Sequence, residues 1–537
     1  MAPQFPSRPA STPSTAPSSA SPVVLSFQHR AQDLATLLAR IESLPGAEST
    51  GSPPSGVVAR GRTDRPVTGL THDSRGVPQD GVFVALPGAR FDGHDFVPRL
   101  SQAAAVVVER DVQASPGVTV VRVPDTRRAL PWLAASFHGY PGRRMPMVGV
   151  TGTNGKTTAT TMASAALLAA GGLPGLVGTT GHRIGDEDLG IVDLLGPAAA
   201  GHHHTTPEAP TLQALLAAMA ERGCDSALME VSSIGLHAFR ADAIPFRVAA
   251  FTNLTRDHLD YHGDMESYAL AKERLFHELM APDGLALLNR DDPSWERFRP
   301  NRGRCWTYGL DAGDLWARDV VLSAAGTRAV VTTPMGEGSL HLPLVGRHNL
   351  SNALCALGMA LGLGCPLDAA LEGLARLSPV AGRLETVPNS RGVGVFVDYA
   401  HTPDALEHVL ACLRELAPRR LITVFGCGGD RDRGKRAPMG HAAWSGSDLA
   451  VVTSDNPRSE DPHTIVQQIL TGIPTGAAGL LVELDRARAI RAALELARSG
   501  DLVLIAGKGH ETSQELACGT IDFDDRVVAR LVLEGMA

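Results

Sequence analysis

Residues 145–160 read MPMVGVTGTNGKTTAT, an apolar run that opens into a glycine-rich loop and then a threonine-rich segment. This pattern suits a phosphate. Gly152 and Gly155 let backbone N–H groups approach phosphate oxygens closely, Lys156 adds a compact point charge, and Thr157 offers a hydroxyl to Mg²⁺ where a helix would begin. The loop is not a strict Walker pattern, because Val150 stands where that pattern has its first glycine. Its context supplies what the pattern lacks: strand, loop and helix in that order predict a nucleotide site built from Gly152, Thr153, Asn154, Gly155, Lys156, Thr157 and Thr158.

Lysine is rare in this chain. Of 49 basic residues only Lys156, Lys272, Lys435 and Lys508 are lysines. A lysine supplies a point charge, or an amine that can lose its proton and react, and a guanidinium supplies neither. Each of the four falls in a Gly-rich or acidic motif, which marks them as functional positions. For Lys272 the plain alternative is an ion pair with Glu266 or Glu273 on one helix face.

Several elements must position these groups. From about Leu34 to Pro141, runs such as GVFVALPG, AAAVVVE and VTVVRV predict the strands of a small α/β domain. Further β/α alternation follows the phosphate loop, and VGVFVDYA, RLITVFG, LAVVTS and DLVLIAG supply a third α/β unit. A length of 537 residues fits roughly three domains. We place them at 31–144, 145–380 and 381–537. The preceding Pro/Ser/Ala tract, residues 1–30, is too poor in bulky apolar residues to fold and lacks the apolar stretch of a secretory signal. A net charge of -8 argues against nucleic acid as a partner, and no run is long and apolar enough for membrane insertion. Seven cysteines without a CxxC pair fit a cytoplasmic protein.

Eight further stretches carry a resemblance: EVSSIGLHAFR, FTNLTRDHLDYHGDMESYALAKERLF, VGRHNLSNALCA, GRLE, VDYAHTPDAL, FGCGGDRDRGKR, SDNPRSEDP and AGKGHE. With TGTNGKTT they resemble, in family order, the Mur ligases, cytoplasmic enzymes that build the peptide of bacterial peptidoglycan. The branch most similar is the one that adds the third residue. The resemblance implies three domains: an N-terminal UDP-binding α/β domain, a central P-loop ATPase-like domain and a C-terminal Rossmann-like domain. It implies an ATP-dependent amide ligase that activates the D-Glu carboxylate of UDP-N-acetylmuramoyl-L-alanyl-D-glutamate as an acyl phosphate and passes it to the amine of meso-diaminopimelate. It further implies a monomer.

The resemblance also assigns residues. Lys156, Glu230, His258 and Lys272 would be catalytic. Thr157 and Glu230 would hold one Mg²⁺, with His258 and a carbamylated Lys272 reaching a second. Asn349, Asn352, Arg383 and Asp398 would complete the ATP site, the last two on domain closure. His72, Ser74, Ala89, Arg90 and Phe91 would bind the UDP-sugar, and His204, Thr205, Thr206, Ser232 and Arg240 the muramoyl-dipeptide. Ile234 and Ala238 depart from the histidine and glutamine usual in EVSSH-type motifs. The run His202-His203-His204 is expected to be a polar loop rather than a metal cluster.

For the incoming amine, Arg458 offers a planar fork that can grip the second carboxylate of diaminopimelate, a group lysine and ornithine lack. Arg431, Asp455, Asn456, Pro457, Gly507 and Glu511 would complete that pocket, with Glu511 facing the distal ammonium. Lysine or ornithine as the added amine, and a non-catalytic scaffold that has kept the fold, are the alternatives.

Overall fold

The computed structural model describes residues 32–42, 57–88, 91–191, 194, 204–377 and 384–536. Ala89, Arg90, His202, His203, Arg383 and the N-terminal tract lie outside the described residues. The chain divides into two compact units. One takes the described residues up to Ala317 with Val331–Gly338 and Ser351–Leu374; the other takes Arg318–Val330, Ser339–Leu350 and the rest of the chain from Ala375.

The first unit contains two large sheets besides a two-stranded ribbon that pairs Gln32–Asp33 with Pro66–Val67. The N-terminal one has five strands in the order Val58–Arg60, Thr119–Arg122, Ala105–Val108, Val82–Val84, Leu70–Thr71, and all pairings are parallel except that of Val58–Arg60. The inner strands are uninterrupted valine runs because both faces are covered. Val82, Val84, Ala105 and Val107 pack with Leu34, Leu37 and Trp132, while Phe83, Val106 and Val108 pack with Val97 and Leu100 on the other side.

The larger sheet has eight strands. Its parallel part runs Pro174–Gly178, Ser226–Glu230, Met147–Thr151, Phe246–Phe251, Met280–Asn289 and Arg304–Tyr308, and an antiparallel ribbon, Gly181–Ile184 and Glu187–Asp188, extends one edge. Met147–Thr151 sits in the middle and is wholly buried. The helix Lys156–Ala169 starts directly behind its loop. Ser226–Glu230 and Phe246–Phe251 flank it in register, so Glu230 pairs with Val150 and Phe251 with Thr151. All three strands therefore deliver their C-terminal ends to one edge, where open α/β sheets bind ligands.

The second unit is built on a six-stranded sheet in the order Glu385–Thr386, Gly394–Asp398, Leu502–Ala506, Leu421–Phe425, Leu449–Val452, Leu480–Val482, parallel except at the first pair. Helices Pro403–Arg414, Arg436–Gly446 and Pro462–Leu470 cover one face, and Arg486–Leu496 and Asp525–Glu534 the other. A hairpin, Ser513–Leu516 with Gly519–Asp522, follows the last parallel strand.

The two helices on the second face are tied by a buried ion pair. Arg486 Nε donates to Asp525 Oδ1 at 2.8 Å and Arg486 Nη2 to Oδ2 at 2.7 Å, and neither side chain is exposed. Arg486 also donates to the Ala506 and Ser454 carbonyls, which fixes the ends of two strands. Replacing Asp525 with Ala would leave an uncompensated buried guanidinium, so Asp525→Ala is expected to lower stability by about 3–5 kcal/mol. Urea unfolding followed by far-UV circular dichroism measures this, and a midpoint within error of wild type would contradict it.

Candidate active site

In the first unit the loop after Met147–Thr151 is shaped by its neighbours. Gly152 has φ +148, and a Cβ there would collide with the Thr252 hydroxyl. Gly155 has φ +84, and a Cβ would collide with the Asn352 side-chain oxygen. Both glycines are therefore required by close approach as well as by backbone angle. Asn253 holds the loop from the adjacent strand end: its carbonyl accepts from Thr153 N at 2.8 Å and its Oδ1 from Asn154 N at 2.8 Å. Lys156 Nζ turns back onto the loop and donates to the Gly152 and Thr153 carbonyls at 2.8 and 2.9 Å. Thr158 follows in the first turn of the helix and is partly exposed.

Thr157 and Glu230 do meet. Thr157 Oγ1 donates to Glu230 Oε2 at 2.9 Å, and Glu230 is buried at the end of its strand. The same carboxylate accepts from Thr179 N at 2.8 Å and from the Thr179 hydroxyl at 3.1 Å. A carboxylate and a hydroxyl beside a phosphate loop are hard oxygen donors, the set Mg²⁺ prefers, and the hydroxyl hydrogens can rotate away to free lone pairs. Among the described residues no group of three or more His, Cys, Asp or Glu side chains is placed to hold a metal, and the donors expected from the sequence for a second ion extend beyond that set.

Lys272 is one such candidate. It is buried on helix Met265–His277, with Nζ 4.4 Å from the centroid of the Tyr268 ring. It does not pair with Glu266 or Glu273, because Arg297 takes both carboxylates, at 2.6 and 2.7 Å. Burial, reinforced by the Lys156 ammonium, holds Lys272 well below the ordinary lysine range against the pull of Asp257. Burial thus favours the neutral form of this amine relative to an exposed lysine. Burial also pushes Lys156 down, opposed by Glu230 and Asp257.

His258 stands beside this group. Its ring centroid lies 6.3 Å from that of Tyr268, whose hydroxyl is 3.1 Å from Thr153 Oγ1. The His258 backbone is left-handed, φ +52, and its N–H is fixed by Asp257 Oδ1 at 2.8 Å. Asp257 is a residue the sequence analysis missed. Its carboxylate acts on both lysines and on Tyr268, and it lies one residue from His258 in RDH. Asn253 and Thr179 were missed as well. They carry no reactive group of their own, and only the sheet order brings them to the loop.

The set assigned to the muramoyl-dipeptide assembles around Glu230. Thr206 Oγ1 donates to the Glu230 carbonyl at 2.9 Å and accepts from Ser232 N at 2.9 Å. Thr205 Oγ1 lies 3.0 Å from Thr179 Oγ1, so that with the Thr179 proton on Glu230 the Thr205 hydroxyl is the one that donates. Arg240 Nη1 donates to the Thr206 carbonyl at 3.0 Å, and its Nη2 pairs with Glu208. His204 is exposed. In the N-terminal sheet, His72 and Ser74 follow the strand Leu70–Thr71, and Phe91 is 75% exposed. Helix Arg347–Gly362 carries both predicted asparagines, but they differ in use. Asn352 lies over Gly155, whereas the Asn349 carboxamide donates to the Val345 carbonyl at 2.8 Å.

In the second unit the predicted residues gather at the C-terminal ends of the parallel strands. Asp398 ends its strand and accepts from Leu384 N and Ala400 N, both at 2.7 Å, so its carboxylate organises backbone. Asp455, Asn456 and Glu511 surround Lys508, which has no exposed surface. Lys508 Nζ donates to Asn456 Oδ1 at 2.9 Å and to Glu511 Oε2 at 2.7 Å, and lies 3.8 Å from Asp455 Oδ1. Burial opposes ionisation of Glu511, yet hydrogen bonds from Lys508 and Asn456 hold it below its ordinary value. Asp455 Oδ1 has no hydrogen-bond partner among the described residues, and burial pushes that carboxyl up. Arg431 is exposed, Pro457 is buried, and Gly507 has φ +117. Arg458 donates from Nε to Glu515 at 2.6 Å and from Nη1 to the Gly429 carbonyl at 2.9 Å. Lys508 and Glu515 were not among the predicted site residues.

The chain itself has counterparts among known proteins. Family models match residues 66–138 (Mur ligase family, catalytic domain), 150–360 (Mur ligase middle domain) and 382–509 (Mur ligase, glutamate ligase domain). The UDP-N-acetylmuramoyl-L-alanyl-D-glutamate–2,6-diaminopimelate ligase of Geobacter sulfurreducens is 45% identical over 494 residues, covering 88% of this chain and 95% of that protein. The ligase of the same name from Gloeobacter violaceus is also 45% identical, over 89% and 96%. A solved structure of a ligase of that name aligns with a TM-score of 0.70 at 32% identity, over 88% of this chain and 96% of the other. On that length and identity, the chain belongs to the Mur ligase family.

Proposed function

We propose that this protein is the ATP-dependent ligase that joins meso-diaminopimelate to the D-Glu carboxylate of UDP-N-acetylmuramoyl-L-alanyl-D-glutamate. The observation that carries the reading is the position of Glu230: its carboxylate meets the phosphate loop through Thr157, and its carbonyl meets the dipeptide set through Thr206. A carboxylate is a poor electrophile, and ATP makes it reactive by phosphorylating it. The amine then attacks the acyl phosphate and releases phosphate, while the protein positions the reactants and neutralises charge.

Within that scheme residues 31–144 bind the UDP-sugar, 145–380 bind ATP and 381–537 bind the amino acid. His72, Ser74, Ala89, Arg90 and Phe91 face the UDP-sugar; His204, Thr205, Thr206, Ser232 and Arg240 hold the dipeptide. Asn349, Asn352, Arg383 and Asp398 serve the nucleotide. The backbone of Gly152–Thr158 cradles the phosphates, and Lys156 leaves its loop carbonyls to meet them. Thr157 and Glu230 are the oxygen donors for Mg²⁺, and His258 with a carbamylated Lys272 serves a second ion. Bound there, Mg²⁺ supplies positive charge to the phosphate oxygens in transfer. Lys272 would join CO₂ through its neutral amine: nitrogen attacks carbon, one N–H proton is released to solvent, and the neutral side chain becomes an anionic oxygen donor. Arg431, Asp455, Asn456, Pro457, Arg458, Gly507 and Glu511 receive the diamino acid. The protein works as a cytoplasmic monomer.

Phosphate release from ATP, measured with the UDP-muramoyl-dipeptide and each candidate amine separately, tests the reading. Release is expected with meso-diaminopimelate and not with lysine or ornithine. Release with lysine or ornithine alone would remove the role given to Arg458. Arg458→Ala is expected to raise the KM for diaminopimelate by about tenfold to a hundredfold, the range for losing a charge-assisted hydrogen bond, with the KM for ATP unchanged. Protein exchanged into ¹³C-bicarbonate should give a carbamate carbon resonance that disappears in Lys272→Arg. A signal that persists in that variant, or none in wild type, would discard the carbamate.

A further inference from the structure

The reading of Arg458 as the grip for a second carboxylate leaves a physical question. A guanidinium on a loop has many orientations, so selectivity requires that something fix one of them. The loop backbone makes the problem sharper: Arg458 is left-handed, with φ +50, a conformation that a non-glycine residue holds only when its surroundings impose it.

One residue imposes it from three directions. Glu515, on the hairpin strand Ser513–Leu516, accepts through its carbonyl from Arg458 N at 3.1 Å. Its carboxylate Oε2 accepts from Arg458 Nε at 2.6 Å. Its own N–H donates at 3.1 Å to Asn456 Oδ1, the same oxygen that accepts from buried Lys508. The Arg458 backbone and side chain, and the asparagine two residues earlier, are thus all referred to a single position on the hairpin. Gly429 adds one more constraint by accepting from Nη1.

The consequence is a defined donor face. The Nε edge of the guanidinium is consumed by Glu515, and the remaining N–H groups on Nη1 and Nη2 have no partner among the described residues. A planar carboxylate can still meet the fork end-on through Nη1 and Nη2, but not side-on through Nε. The pairing also leaves the Arg458–Glu515 couple formally neutral, so a lone ammonium or a simple anion gains little there without matching that face.

We infer that Glu515 is a positioning residue for amine selection: it orients Arg458 so that only a substrate bearing a second carboxylate at the right place is held. This rests on the diaminopimelate reading above and names the residue that makes Arg458 selective.

Steady-state kinetics of Glu515→Gln and Glu515→Asp in the full-length enzyme, with each of the three substrates varied in turn, test it. Glu515→Gln keeps the backbone contacts and removes the charged acceptor. The KM for meso-diaminopimelate should rise by about tenfold, with kcat and the KM values for ATP and the UDP-muramoyl-dipeptide within a factor of about two. Glu515→Asp, which keeps the charge but shortens its reach, should fall between Gln and wild type. The preference for diaminopimelate over lysine should narrow in the same order. An unchanged KM for diaminopimelate in Glu515→Gln, or a rise shared by all three substrates, would overturn the inference. Wild-type enzyme that fails to use diaminopimelate would instead remove the reading on which it rests.

Discussion

The carboxylate of Glu230 is the constraint on which the first unit depends. It is buried at the end of a central strand, where an unpaired negative charge would cost several kcal/mol, of the order expected for a desolvated ion. Hydroxyls of Thr157 and Thr179 and the Thr179 N–H satisfy it. Those donors come from two different pieces of chain: the phosphate-loop helix and the turn after the neighbouring strand. Thr206 then anchors to the carbonyl of the same residue. A group that must be buried and must be satisfied therefore gathers the loop, the turn and the segment carrying Thr205 and Thr206 at one strand end. The chemistry proposed for the site uses the oxygen atoms that the fold already had to bring together.

The lysine economy of the chain acquires a physical meaning in the structure. Lys272 is buried without a paired carboxylate among the described residues, and another ammonium acts on it, an arrangement that a guanidinium could not relieve by losing a proton. Lys508 is the reverse case. It is also buried, but it is satisfied by Asn456 and Glu511, so it behaves as a structural cation inside an anionic pocket. Lys435 is spent on the His401 carbonyl. The same residue type thus sits in three different settings, and only the surroundings distinguish them.

Much of this was legible in the sequence, for an identifiable reason. The strand–loop–helix around Gly152 and Lys156 is local, and valine runs such as AAAVVVE and DLVLIAG predict buried parallel strands wherever both faces are covered. Thr157, Glu230, Thr206, Ser232 and Arg240 were named beforehand and lie together. What could not be read is pairing across long separations. Arg297 captures Glu266 and Glu273 from outside their helix, and nothing in ESYALAKERLF announces it. Glu515 meets Arg458 from a hairpin 57 residues away. Asp257 was visible in RDH but was passed over for its histidine neighbour. Asn349 and Asn352 share a helix as their spacing predicts, yet spacing does not reveal that one carboxamide is committed to its own backbone.

Left-handed backbone recurs at ten of the described non-glycine residues, and two of them, His258 and Arg458, belong to the proposed site. His258 and Arg458 both hold left-handed angles without being glycine, each at a cost of order 1–3 kcal/mol. In both cases a carboxylate-bearing neighbour fixes the residue's own N–H or guanidinium: Asp257 for the first, Glu515 for the second. A relaxed loop would save that energy and would also let the imidazole or the guanidinium wander. Strain of this kind persists only where the surrounding contacts outweigh it, so at His258 and Arg458 those contacts maintain the direction of the side chain as well as its place.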